Sequence, residues 1–149
     1  MTSEPATHAI LLVDDNAHGM VARRRVLIDL GYRVQTACSA QEALNIIATQ
    51  EVKFAVVVTD YKMPSMNGVE LISKLKEVSP GTRTVLLSAL VEPWGMTEDS
   101  TGADAVVQKS SSEVNQLTRT VQGLLNKRVE KKPAGSVKRA RANSVVKNG

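Results

Sequence analysis

Apolar and polar positions alternate in blocks along the first 126 residues, and these blocks predict strands and helices in turn. Short apolar runs predict five strands, at 9–13, 33–37, 54–59, 84–87 and 105–107. Apolar positions three, four or seven residues apart predict helices at 16–30, 39–47, 68–78 and 110–126, with a weaker, short helix around 94–100. Strands that alternate with helices over short connections indicate an α/β fold with a parallel sheet, right-handed crossovers and helices on both faces.

The third predicted strand and the loop after it are the most informative stretch of the chain. Residues 54–58 are continuously apolar, which is typical of a parallel strand that is buried on both faces. Asp60 stands where this strand ends. Beyond it, Asn67 and Glu70 have the spacing of a helix N-cap and its partner, and Gly68 permits close approach of the backbone. The loop therefore holds a carboxylate at the carboxyl edge of the sheet, where open α/β sheets bind ligands.

Polar residues stand at the ends of four predicted strands: Asp14 and Asp15, then Asp60, Ser88 and Lys109. Parallel strands bring these ends to one edge, where each pair of carboxylates repels by about 4 kcal/mol at about 4 Å and an effective dielectric near 20. Mg²⁺ and the ammonium group of Lys109 are the natural groups to offset this repulsion. An aspartate in such a site can attack a phosphoryl group while the cations neutralise the phosphoryl oxygens, and Ser88 can donate a hydrogen bond to another oxygen.

Charge divides the chain into two parts. Residues 1–126 hold 11 Lys and Arg against 14 Asp and Glu, a net charge of −3, whereas residues 127–149 hold 8 against 1, a net charge of +7. We expect a polar extension at 1–7, one domain at 8–126 and a solvated, disordered tail at 127–149. The tail serves either solubility or an unspecific, salt-sensitive interaction with nucleic acid or an acidic surface, because it lacks aromatic residues that stack on bases.

Composition also bears on where the protein works. Cys38 is the single cysteine, so no internal disulfide can form, as is usual in a reducing cytosol. No stretch approaches the roughly 20 apolar residues of a membrane span, and the first residues lack the apolar core of a signal peptide. We therefore expect a cytoplasmic protein that has no membrane partner.

Residues 8–126 resemble the receiver domain of bacterial response regulators, which act in two-component signal transduction. The resemblance lies in the acid pair Asp14-Asp15, the stretch from Asp60 to Gly68, the pair Ser88-Ala89, and Lys109. It implies a flavodoxin-like, doubly wound sheet of five strands in the order 2-1-3-4-5. It also implies that Asp60 is the phosphoacceptor for a sensor histidine kinase or a phosphotransfer protein.

The resemblance implies a Mg²⁺ site built on the same acids. Asp15, Asp60 and the backbone carbonyl of Lys62 would hold the ion, and Asp14 would assist through a water molecule. The expected cofactor is therefore Mg²⁺ alone.

The resemblance also assigns the groups that contact the phosphoryl group, namely Lys109, Ser88 and the backbone of Ala89. Ser88 would turn toward the phosphoryl group and shift the face formed by strand five and the helices beside it. The sequence departs from the family in two places: Ser110 follows the lysine where Pro is usual, and Val106 stands where an aromatic switch residue is common. We expect the signalling face to move differently, because Val106 cannot act as a rotating aromatic ring.

The sequence thus predicts a single-domain response regulator that switches the binding of a downstream protein or relays phosphate onward. We do not expect an enzyme that acts on an external substrate; the chain would catalyse only its own phosphorylation and dephosphorylation. The alternative is a receiver-like interaction module that works without phosphorylation, through its basic tail.

Overall fold

The computed structural model describes residues 8–130, with side chains for residues 8–126. The strands are β1 (Ala9–Val13), β2 (Arg33–Ala37), β3 (Phe54–Asp60), β4 (Arg83–Ser88) and β5 (Ala105–Gln108). The helices are α1 (Ala17–Asp29), α2 (Ala40–Thr49), α3 (Gly68–Val78), α4 (Val91–Trp94), α5 (Glu98–Thr101) and α6 (Glu113–Glu130). None of the helices in this part of the chain has the length and apolar character needed to cross a membrane.

The five strands form one sheet in the order β2-β1-β3-β4-β5, and all neighbouring strands are parallel. Alternate residues of each strand face opposite sides of the sheet. Ile10 and Val56 pack in one core cluster with α1 and α6, whereas Leu11 and Val57 pack in another with α2 and α3. The predicted flavodoxin-like architecture is confirmed, with helices on both faces of the sheet.

Two helical stretches differ from their predicted bounds. The single short helix predicted around 94–100 is two separate turns, because Gly95 ends α4 in a left-handed conformation and Thr97 caps the start of α5. The last helix begins at Glu113 rather than 110 and continues beyond 126 to Glu130. Lys, Arg and Glu sustain a helix without an apolar face, so the first four residues of the expected tail are helical. Residues 1–7 and 131–149 lie outside the described part of the chain.

The junction between β3 and α3 fixes the backbone of Asp60. The Gly68 N–H donates to the Tyr61 carbonyl at 2.8 Å, and Asn67 caps α3 in a complete capping box with Glu70. A Cβ atom on Gly68 would overlap the Asp60 backbone oxygen and would lie 2.7 Å from a methyl group of Leu86. The glycine is therefore required for the close approach of the helix start to the end of the strand.

We expect Gly68→Ala to lower the free energy of unfolding by about 2 kcal/mol, because the added methyl group cannot be accommodated without moving backbone. Gly81→Ala is the matched control, since a Cβ atom there meets nothing within 4 Å and Gly81 has no positive φ. Urea denaturation of both variants measures the difference. Equal stabilities would contradict the assigned role of Gly68.

Candidate functional site

Three carboxylates meet at the carboxyl edge of the sheet. Asp14 and Asp15 follow β1, Asp60 is the last residue of β3, and one oxygen from each lies within 4.8 Å of the others. Asp14 and Asp60 are buried, whereas Asp15 is exposed to solvent. The three acids line an open cleft of about 390 Å³. The cleft combines buried negative charge with access for a small polar ligand.

Lys109 supplies a positive charge to this cleft from the end of β5. Its ammonium group forms an ion pair with Oδ1 of Asp60, and its backbone N–H donates to the Ser88 carbonyl at 2.9 Å. Burial raises the pKa of Asp60, and this effect outweighs the lowering caused by Lys109. The peptide bond between Lys109 and Ser110 is trans.

The end of β4 and the loop after it line the same cleft as the acids. Ser88 is buried, and its hydroxyl accepts a hydrogen bond from the Leu90 N–H at 2.9 Å, which leaves the hydroxyl proton free to donate. Ala89 lines the same cleft. Gln108 was not predicted as part of this region; its side-chain amide donates to the Ala89 carbonyl at 2.9 Å and accepts from the Glu92 N–H at 2.8 Å. Its partners lie 16 and 19 residues away in the sequence, so no local sequence pattern predicts these two hydrogen bonds.

Two further predicted residues lie at the margin of the site. Lys62 is exposed and lines the cleft. Val106 is half-buried beside a small cluster that also contacts Tyr61. Tyr61 lines the cleft and meets the ring of Trp94 edge-on, with the ring centroids 6.0 Å apart. Trp94 remains 62% exposed, so the chain's single tryptophan lies close to the site and open to solvent.

Arg23 is a second residue of the site that was not predicted. Three consecutive arginines, Arg23, Arg24 and Arg25, predict a mostly solvated stretch of α1, and for Arg23 this prediction is wrong. Arg24 and Arg25 are exposed, but Arg23 is only 5% exposed. It follows Met20 by three residues and precedes Leu27 by four, and both of these are buried. The helical spacing of that stripe is the signal that would have placed Arg23 inside.

The guanidinium group of Arg23 joins the acid cluster to the last helix. One nitrogen donates to Oδ2 of Asp14 at 2.6 Å, and another donates to the carboxylate of Glu113. Ser110 and Glu113 have the spacing that predicts a capping box, but this prediction is wrong: the Glu113 carboxylate pairs with Arg23, and the Glu113 N–H donates to the Ser110 carbonyl rather than to its hydroxyl. Desolvation lowers the pKa of Arg23, but the bonds to Glu113 and Asp14 raise it further, so the net shift is upward and the group stays charged.

The donor set of the cleft fits Mg²⁺. The three acids offer oxygen atoms only, and a solvent-open site leaves room for the waters that this ion retains. Both oxygens of Asp14 are already hydrogen-bonded, to Arg23 and to the Asn16 N–H. Asp15 and Asp60 are therefore the carboxylates best placed to contact the ion directly.

Comparison with known proteins agrees with this geometry. The family model described as the response regulator receiver domain matches residues 10–122. A response regulator receiver protein of Anaeromyxobacter sp. (strain Fw109-5) is 35% identical over 81 residues, which cover 54% of this chain and 33% of that protein. Response regulator RppA of Synechocystis sp. is 29% identical over 101 residues, which cover 67% of this chain and 43% of that protein.

A solved structure shares both the fold and the length of the domain. The response regulator TrrA of Thermotoga maritima, crystallised in complex with Mg²⁺-BeF, has a TM-score of 0.69 and 25% sequence identity, and the match covers 79% of this chain and 99% of TrrA. The chain spans less than half the length of the two relatives named above. The extent of the family match, which takes in most of the chain, shows that this protein belongs to the response regulator receiver domain family.

Proposed function

We propose that residues 8–126 form a phosphoacceptor switch that receives a phosphoryl group on Asp60 from a sensor histidine kinase or a phosphotransfer protein. The observation that carries this proposal is the meeting of Asp60, Lys109 and two further acids in one open cleft of a receiver domain. Phosphorylation then changes the binding of a downstream protein or passes the phosphoryl group onward.

The contacts of Asp60 support a direct transfer. Lys109 engages Oδ1, so we assign Oδ2 as the nucleophile. This oxygen bonds to phosphorus as the bond between phosphorus and the donor histidine nitrogen breaks, and the electron pair of that bond stays on the imidazole. Lys109 and the Ser88 hydroxyl then contact the phosphoryl oxygens, together with the backbone of Ala89. Hydrolysis of the acyl phosphate by water restores the carboxylate, so the chain catalyses only its own modification and its reversal.

We assign the Mg²⁺ site to Asp15, Asp60 and the backbone carbonyl of Lys62, three residues that line the cleft. Asp14 assists through water, since its own oxygens are occupied by Arg23 and Asn16. When bound, the ion neutralises the negative charge that the phosphoryl oxygens add to the acids.

Two residues bear on how phosphorylation would be read out. Ser88 lies in the cleft as a switch residue should, while Val106 lacks the ring that we would expect to rotate. The described residues give no specific support to the alternative of an interaction module without phosphorylation, and the tail that would serve it lies outside them. Single-domain status and a cytoplasmic location stay predictions from the sequence.

Incubation with acetyl phosphate and Mg²⁺ tests the proposal by intact mass spectrometry. We expect one phosphoryl adduct on the unaltered chain, because Asp60 is accessible from the cleft and flanked by Lys109. Asp60→Asn and an EDTA control should show no adduct. An adduct of equal yield in either control would contradict the assignment, as would the combined failure of acetyl phosphate and beryllofluoride to modify the unaltered chain.

The raised pKa of Asp60 predicts a stability cost with a defined sign. In the unfolded chain Asp60 has the ordinary carboxyl pKa of 3.8, and in the folded chain its pKa is higher. Between these two values the folded state binds more protons, so stability falls as pH rises through the interval. In metal-free buffer, Asp60→Asn should therefore be more stable than the unaltered chain near neutral pH.

This gain should vanish as the pH falls below 3.8, where both states of the unaltered chain are protonated at Asp60. Urea denaturation across the range measures it, and Glu51→Gln, at an exposed carboxylate, supplies the background change. A gain that does not vary with pH would contradict the burial of the Asp60 charge.

A further inference from the structure

A buried ion-pair network connects the acid cluster to the first turn of α6 through Asp14, Arg23 and Glu113. The Arg23 guanidinium donates to both carboxylates, and the three side chains are 2%, 6% and 12% exposed for Asp14, Arg23 and Glu113. Buried ion pairs cost desolvation energy, and an arginine with fixed donors to two carboxylates is the arrangement that offsets this cost best. The ion-pair network therefore belongs to the interior of the domain and is not a surface contact.

Gly19 shows that the fold makes room for this arrangement. It lies one turn before Arg23 on α1, where a Cβ atom would stand 3.0 Å from Oδ2 of Asp14 and 3.4 Å from a guanidinium nitrogen of Arg23. Glycine in a helix interior costs about 1 kcal/mol relative to alanine. The space left by its missing side chain is what lets Arg23 fold back along the helix onto Asp14.

Glu113, at the other end of the ion-pair network, lies just after the loop that carries Lys109. Only three residues separate Lys109 from Glu113, and the family's usual proline is absent from this loop. Within it, the Ser112 N–H donates to the Ser110 hydroxyl at 3.2 Å, and the Glu113 N–H donates to the Ser110 carbonyl at 3.1 Å. At its start the loop is held by the contacts of Lys109 with Ser88 and Asp60, and at its end the ion pair of Glu113 with Arg23 ties it to α1.

The ion-pair network also changes the electrostatic potential at the proposed metal site. Arg23 places a positive charge beside Asp14, one oxygen of which lies within 4.8 Å of an oxygen of Asp15 and of Asp60. A divalent cation bound there is repelled by that charge. Glu113 pairs with a different nitrogen of the guanidinium group and partly offsets its charge.

We propose that Arg23 is a positioning residue that ties the start of α6 to the acid cluster and lowers the affinity of the cluster for Mg²⁺. Glu113 opposes the second effect. The inference rests on the Mg²⁺ site proposed above. It adds Arg23 to that site as an internal counter-charge, which is connected through Glu113 to the end of the Lys109 loop.

A Mg²⁺ titration of the full chain tests the proposal, with the affinity read from backbone amide shifts in NMR spectra at constant ionic strength. Arg23→Gln should bind Mg²⁺ about tenfold more tightly, because the repelling charge is gone. Glu113→Gln should bind it about threefold more weakly, because the charge of Arg23 is no longer offset.

The opposite signs are the informative result. Both substitutions break the same ion pair, so a merely structural role predicts that both change the affinity in one direction. Arg23→Lys keeps the charge but cannot donate to both carboxylates from a fixed fork, so its Mg²⁺ affinity should stay within about threefold of the unaltered chain. Arg24→Gln makes the same charge change at an exposed neighbour and should leave the affinity unchanged.

The inference would be overturned if Arg23→Gln and Glu113→Gln changed the Mg²⁺ affinity in the same direction. It would also be overturned if both variants bound Mg²⁺ within about twofold of the unaltered chain, and in either case the Mg²⁺ site itself would stand. Failure of the unaltered chain to bind Mg²⁺ would overturn both. If Arg23→Gln does not fold, as its amide spectrum would show, Glu113→Gln decides, and it must bind Mg²⁺ more weakly for the inference to stand.

Discussion

Repulsion among three carboxylates at one edge of the sheet is the constraint on which the rest of the site depends. Parallel strands bring their carboxyl ends to the same side, so Asp14, Asp15 and Asp60 cannot separate. Two cations that belong to the chain reduce the repulsion: Lys109 pairs with Asp60, and Arg23 pairs with Asp14. Each cation covers a different acid, which leaves Asp15 exposed and open to a third positive charge. The remaining negative charge is what favours binding of a divalent ion in the cleft.

Charge compensation also connects the site to the scaffold. Lys109 comes from the end of β5, and Arg23 comes from the buried face of α1 and extends to Glu113 at the start of α6. These ion pairs link the acids to α1 and α6, the two helices that pack together on one face of the sheet. Gln108, next to Lys109, holds the loop after β4 through both ends of its amide. The contacts of Gln108 and Glu113 therefore restrain the chain on either side of the loop in which the family's usual proline is missing.

The order of strands and the convergence of their terminal residues were predictable, because the periodicity of apolar residues and the chirality of crossovers leave few topologies open. Asp60 and Lys109 could be placed at one edge on that basis alone. The positions of Arg23 and Gln108 were not predicted, for two different physical reasons. Arg23 lies on the apolar stripe of α1, but arginine is seldom buried, so its type argued against its position. Gln108 bonds to backbone atoms far away in sequence, and such contacts leave no periodic signal.

The most direct test of this account is a crystal structure of the full chain with Mn²⁺, whose anomalous scattering locates an ion at the acid cluster without ambiguity. The account predicts one ion in the cleft, in direct contact with Asp15 and Asp60, while the Asp14 carboxylate stays paired with Arg23. A cleft without an ion at saturating Mn²⁺ would contradict the proposed site. An ion bound directly by Asp14, with Arg23 displaced, would contradict the role given to Arg23 as the fixed counter-charge of the cluster.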